Sequence, residues 1–230
     1  MQRRVFSVVM ASAVCSPCMG LGAARAAGLS ELDAAAGIRE ALARGADSAV
    51  SLLGRKDGFM GNPRVKIPLP GFLKDVAKLL KATGQGKSVD ELVTAMNRAA
   101  EAAVPEAKSL LLSAVKNMSV EDGRQILSGG DRSVSDFFAK KTREPLGAKF
   151  LPIVTRATQK VSLADKYNAV AGQAADLGLL DKKDADIQKY VTGKALDGLY
   201  LMIGEEERKI RKDPVGTGSA ILKNVFGSLK

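Results

Sequence analysis

No histidine and no tryptophan occur in this chain, and its two cysteines are Cys15 and Cys18. Aromatic residues make up 4% of it, against 46% hydrophobic residues in all. A core must therefore be built from alanine, leucine and valine, which favours close helix packing over a β-sandwich. The lack of histidine removes the commonest general base and the commonest metal ligand. If the two cysteines are cut away with a leader, no thiol nucleophile, disulfide or zinc site of the usual ligands is available either. Carboxylates, lysine, tyrosine, serine and threonine are what remains for chemistry. No cofactor, no metal and no catalytic residue is assigned.

Such a leader is what residues 1–26 resemble. Arg3 and Arg4 form a basic start, and Val5–Leu21 is apolar but interrupted by Ser12, Ser16, Pro17 and Gly20, too broken for a spanning helix. Ala24-Arg25-Ala26 supplies the small-x-small pattern before a cut, so the mature chain is expected to begin near Ala27 and to work in the periplasm. Neither cysteine has the preceding residues of a lipoprotein signal. Arg3-Arg4-Val5-Phe6 carries an arginine pair, so the Sec and twin-arginine routes both stay open. Removing residues 1–26 takes Arg3, Arg4 and Arg25 and no acid, so the net charge of +10 becomes about +7. Outside the cytoplasm nucleic acid is not a routine partner. Anionic headgroups are the natural electrostatic one, which makes a weak contact with an anionic membrane surface an expectation.

The clearest internal signal runs from Ser88 to Asn117. Ser88 and Glu91 have capping-box spacing, which places a helix start at Ser88. Leu92, Val93, Met96, Ala99, Ala100, Ala103 and Val104 then recur at helical spacing, and most of that stripe is alanine. Pro105 predicts a break, giving an αα-hairpin or a sharply kinked helix. Asn97 and Glu101 share a face, and Arg98 stands three residues before Glu101. They read either as a polar constellation lining a pocket or as a polar seam that orders the helices around it.

Elsewhere the pattern is helical. Helices are expected over Ser30–Leu53, Leu73–Ala82, Ser119–Leu127, Ser133–Thr142, Glu144–Lys160 with a kink or a break near Phe150-Leu151 ahead of Pro152, Ser162–Leu177 and Asp184–Lys212. Gly193, Gly198 and Gly204 suggest close contacts or a bend in the last of these. Thr217–Leu229 reads as an amphipathic tail that either docks on the domain, the favoured reading, or lies on a membrane surface. Residues 59–72 break the period. There Val65, Ile67 and Leu69 alternate with Arg64, Lys66 and Pro68, the pattern of a short extended arm laid across the helices. The Gly84–Ser88 string G-Q-G-K-S lacks the spacing and the preceding strand of a phosphate loop. The predicted architecture is all-α, a single multi-helix orthogonal bundle with one short extended arm at about residues 59–72, and one domain over residues 27–230.

Four stretches carry a family resemblance: D-G-F-M-G-N-P-R-V-K-I-P-L-P (Asp57–Pro70), A-M-N-R-A-A-E-A-A-V-P-E-A (Ala95–Ala107), K-F-L-P-I-V (Lys149–Val154) and Y-V-T-G-K-A-L-D-G-L-Y-L-M-I-G-E-E-E-R-K-I-R-K-D-P (Tyr190–Pro214). Together they resemble the bacterial domain of unknown function number 4197, over nearly the whole mature chain. The resemblance implies an exported, mostly helical protein and brings no activity. Gly193 and Gly204 stand where bulkier residues are expected.

The function expected from all this is a non-enzymatic module of the cell envelope that binds an envelope protein or a small apolar ligand. Its candidate ligand-binding residues are Asn97, Arg98, Glu101, Asp197 and Arg208. The rival is a carboxylate-based envelope enzyme using Glu101, Glu106 and Glu144, which requires two of these carboxylates to converge in a cleft. Peripheral attachment to a membrane surface is a third reading.

Overall fold

The computed structural model describes residues 31–82, 84, 86–130, 132–176 and 185–213. The expected leader and the C-terminal tail lie outside the described residues. The helices are α1 (Glu31–Leu53), α2 (Gly71–Ala82), α3 (Gly86–Ala103), α4 (Ala107–Lys116), α5 (Val120–Ser128), α6 (Ser133–Thr158), α7 (Ser162–Asp176) and α8 (Ile187–Lys212). No strand occurs among the described residues. This is the expected all-α bundle.

Three packings frame the bundle: α6 on α8, α3 on α6 and α1 on α8, with α4 filling the space beside α1 and α6. The inward face of α3 is Val89, Leu92, Met96, Ala99, Ala100 and Ala103, all buried. Alanine at three of these positions lets neighbouring helices approach. The bulk is supplied by Phe59, Phe138 and Phe150, each fully buried. Polar pins join the layers as well. The Asn168 side chain of α7 accepts from Ile187 N–H at 2.9 Å and donates to Gln188 Oε1 at 2.8 Å. Gln188 in turn donates to Thr158 Oγ1 of α6 at 3.2 Å.

Three expectations need correction. First, Ser88 is not a helix cap, because α3 already begins at Gly86. Gly84, with φ of +83°, reverses the chain directly after α2. That gives α3 an extra stretch at its start, and just beyond it Asp90 pairs with Lys81 of α2 at 3.3 Å. Second, Ser133–Thr142 and Glu144–Lys160 are not separate helices. α6 runs unbroken through both Pro145 and Pro152. Each proline removes a hydrogen bond to the carbonyl four residues earlier. Those carbonyls belong to Lys141 and Ala148, and both residues, like both prolines, face solvent, so water replaces the lost donors. Third, the close contact expected at Gly193 is absent, since a Cβ there would meet nothing within 4 Å.

At Pro105 the kinked-helix alternative holds. Val104–Glu106 is a 3-10 turn that leads straight into α4, and α3 and α4 each pack on α6. Ser119, where a helix start is expected, is the cap of α5. Its hydroxyl accepts from Asp122 N–H at 3.0 Å, and the Asp122 carboxylate accepts from Ser119 N–H at 3.1 Å.

These elements give two predictions. Ser119→Ala should lower stability by about 1 kcal/mol in urea denaturation, the usual worth of an N-cap. Bonds from the Ser119 hydroxyl and N–H hold the Asp122 carboxyl below its ordinary value. A depressed folded value means that this stabilisation is complete above the usual carboxylate range, about pH 4, and is lost as pH falls through the lowered value. Asp122→Asn should flatten that acid limb. On α8, Gly198→Ala and Gly193→Ala should act in opposite directions. A Cβ on Gly198 would sit 2.9 Å from the Phe59 ring and 3.2 Å from Val65 Cβ, costing about 1–3 kcal/mol. The open Gly193 should gain up to about 1 kcal/mol of helix propensity. Thermal melts of the two variants against the parent check the signs.

Candidate functional site

The arm begins where α1 ends. Gly54 N–H donates to Val50 O at 2.8 Å, closing the helix, and a series of turns follows. Asp57 lies in the left-handed region, with φ of +65°, which aspartate tolerates better than most residues. Gly58 comes next in a spot where any Cβ would collide with Leu53 O at 2.4 Å. Asn62 O accepts from Val65 N–H at 3.2 Å and Lys66 N–H at 2.8 Å, ending the turns. The one run of the arm without turn or helix is residues 66–70, so the extended part is shorter than the 59–72 read from the alternation. The alternation itself is right: Val65 and Ile67 are buried, and Lys66 and Pro68 are exposed.

Burying those residues carries main-chain N–H and C=O groups into the interior, and each needs a partner. Asn97 supplies both for Ile67. Its Oδ1 accepts from Ile67 N–H at 2.8 Å, and its Nδ2 donates to Ile67 O at 3.0 Å. The second Nδ2 hydrogen goes to Val93 O at 2.8 Å. A primary amide offers one acceptor and two donors side by side, so Asn97 stands in for the neighbouring strand that an all-helical fold lacks. One turn on, Glu101 Oε1 accepts from Phe59 N–H and Met60 N–H, each at 3.0 Å. Its Oε2 accepts from the Arg98 guanidinium at 2.6 Å, and Arg98 reaches on to Asp57 Oδ1 at 2.7 Å. The carboxylates of Glu101 and then Asp57 hold the Arg98 pKa above its ordinary value.

Asn97, Arg98 and Glu101 are thus brought together, against the arm. Asp197 and Arg208 take no part in this cluster. Asp197 pairs across the α6–α8 packing with Arg143 at 2.6 Å, beside Tyr200, whose hydroxyl shares a bond with Thr142 at 3.0 Å. Burial pushes the Tyr200 hydroxyl pKa up. Arg208 donates from Nε to Gly204 O of its own helix at 3.4 Å. Of the rival carboxylates, Glu106 and Glu144 are exposed, while both oxygens of Glu101 are engaged.

Further ties hold the arm, and the sequence reading had not assigned them. Arg64 forms an ion pair with buried Glu205 of α8, and the Tyr190 hydroxyl donates to Pro68 O at 3.1 Å. Arg64 belongs to the alternation, but nothing in sequence spacing links it to a glutamate so far along the chain.

Two grooves flank these elements. One of ≈ 950 Å³ lies between the α2–α3 corner and the start of α7, with Lys81, Lys87 and Lys160 on its rim. Two of those lysines already face acids, Lys81 with Asp90 and Lys87 with Glu91 at 4.0 Å. The other, of ≈ 230 Å³, lies between the arm and α8. No described helix is long and apolar enough to cross a membrane.

A family model described as protein of unknown function (DUF4197) matches residues 28–227, and the chain belongs to that family. No curated protein and no solved structure matches it.

The clamp predicts an order of damage. Asn97→Ala should cost about 2–6 kcal/mol, because two buried main-chain groups lose their partner at about 1–3 kcal/mol each. Glu101→Ala should cost a similar amount by orphaning two N–H groups, and Arg98→Ala should cost less than either. Urea denaturation checks the order. Hydrogen exchange checks the cause: Ile67 N–H should lose protection in Asn97→Ala, and Phe59 and Met60 N–H in Glu101→Ala.

Proposed function

We propose that this member of the DUF4197 family is an exported, non-enzymatic binding module of the periplasm, holding an envelope protein or a small ligand. The observation that carries the reading is where the polar seam spends its bonds. A general acid or base needs a lone pair or proton turned to a substrate. Glu101 and Asn97 turn theirs to the main chain of the arm. The described part of the chain has no histidine or cysteine to replace them. What remains open is concave surface with mixed polar and apolar lining, the ordinary form of a recognition site.

Export rests on the basic start, the apolar run and the Ala24-Arg25-Ala26 cut pattern. The basic balance of the remaining chain favours a weak, salt-sensitive contact with anionic headgroups. The arm is a poor docking strand. Pro68 and Pro70 have no N–H to offer a ladder, and the N–H and C=O of Ile67 are taken by Asn97.

Native mass spectrometry of the chain purified from its own envelope fraction tests the proposal. A stoichiometric companion, either a second protein or a small molecule, is the expected result. A bare chain in every preparation overturns the binding role. A chain that keeps Met1 and fractionates with the cytosol overturns export, whereas a start near Ala27 upholds it.

A further inference from the structure

The smaller groove has a composition that narrows what it can hold. Its α8 wall is Lys194, Asp197, Gly198 and Leu201, one stripe at helical spacing, and its other wall is residues 64–68 of the arm. Gly198 is the floor. It lets the arm sit close, because a side chain there would strike Phe59 and Val65. Leu201, 37% exposed, is one of two large apolar side chains left open among the described residues. Pro68 lines the same groove as a second apolar surface.

The charges around the groove divide cleanly. Arg64 is committed to Glu205, and Asp197 is committed to Arg143. Lys66 and Lys194 have no carboxylate partner among the described residues. Lys194 is held at the rim, its ammonium 5.8 Å from the centre of the Tyr190 ring, and Tyr190 is itself bonded to the arm at Pro68 O. The groove has a volume of ≈ 230 Å³. That is below the roughly 300–1,000 Å³ that encloses drug-sized molecules. A ligand here is the size of one amino-acid residue.

We infer that this groove binds a carboxylate carried beside an apolar group, with Lys66 and Lys194 on the carboxylate and Leu201 and Pro68 on the apolar part. Two lysine point charges suit a single anionic centre, where a phosphate site favours the fork of an arginine. The carboxylate belongs to a small free acid or to the end of a polypeptide. The inference rests on the binding-module reading and names a site for it.

N-acetyl-leucine is the probe, titrated into the full chain while the backbone amides of Lys66, Lys194 and Leu201 are followed by NMR. The expected dissociation constant is on the order of 1 mM. N-acetyl-leucinamide, which keeps the apolar group without the charge, should bind about tenfold more weakly, and so should acetate, which keeps the charge alone. Lys66→Gln and Lys194→Gln should each weaken N-acetyl-leucine several-fold, with the melting temperature unchanged in Lys66→Gln and only slightly lowered in Lys194→Gln, which also loses the contact with the Tyr190 ring. A peptide ending in a free leucine carboxylate separates the sources. Tighter binding than N-acetyl-leucine points to a polypeptide end and equal binding to a small acid, and both uphold the site. Absence of shifts at tens of millimolar, equal binding of acid and amide, or indifference to both lysine variants overturns it. A companion seen by native mass spectrometry together with a silent groove removes this site and leaves the binding role standing.

Discussion

The structure depends on one side chain acting as a strand. Asn97 meets the N–H and the C=O of Ile67 together, and so lets a non-helical segment lie inside a helical protein. Helices satisfy their own backbone, but the connection from α1 to α2 does not. If that connection stayed at the surface it would need no partner beyond water. It dips inward because Phe59, Val65 and Ile67 bury apolar surface. The burial is possible only where Asn97 and Glu101 replace the water that the main chain gives up.

Much of the neighbouring architecture is shaped around that dip. α8 carries glycine at 198 because the arm crosses there, and it supplies Glu205 and Tyr190 to hold the arm at Arg64 and Pro68. On the other side of α8, Gly45 of α1 faces Glu206, with a Cβ position 3.6 Å from the Glu206 Cβ, so α1 also packs close. α6 gives the frame its length. Its two prolines are placed where solvent takes up the freed carbonyls, and Thr142, Thr155 and Thr158 bond back to their own helix at 2.7, 2.7 and 2.9 Å.

This division of labour changes how the polar residues of α3 are read for function. A cluster of asparagine, arginine and glutamate on a core helix has the composition of a reaction site, yet here its hydrogen-bonding groups are turned to the main chain. The surface we propose for recognition lies instead on the outer side of the arm. There the same packing leaves a small groove against α8, with Lys66 and Lys194 at its rim. The clamp thus fixes the arm, which is one wall of that groove.

Local rules and global packing settled different parts of this molecule. The helical class, the break at Pro105, the cap at Ser119, the turn at Asp57-Gly58 and the in–out alternation of Val65, Lys66 and Ile67 follow from backbone sterics, capping and periodicity. These act within a few residues, and so they were legible in the sequence. The pairing of Asn97, Arg98 and Glu101 on neighbouring faces was legible for the same reason. Their target was not, because a hydrogen-bond partner 30 or more residues away leaves no periodic trace. The continuity of α6 through Pro145 and Pro152 depended on which side faced water, and the early start of α3 on Gly84 turning α2 back against it. Composition determined that this chain would pack as helices around small aliphatic side chains. Only the tertiary structure decided that its best polar cluster would hold a segment of its own chain, since burial, not spacing, determines which backbone groups need a partner.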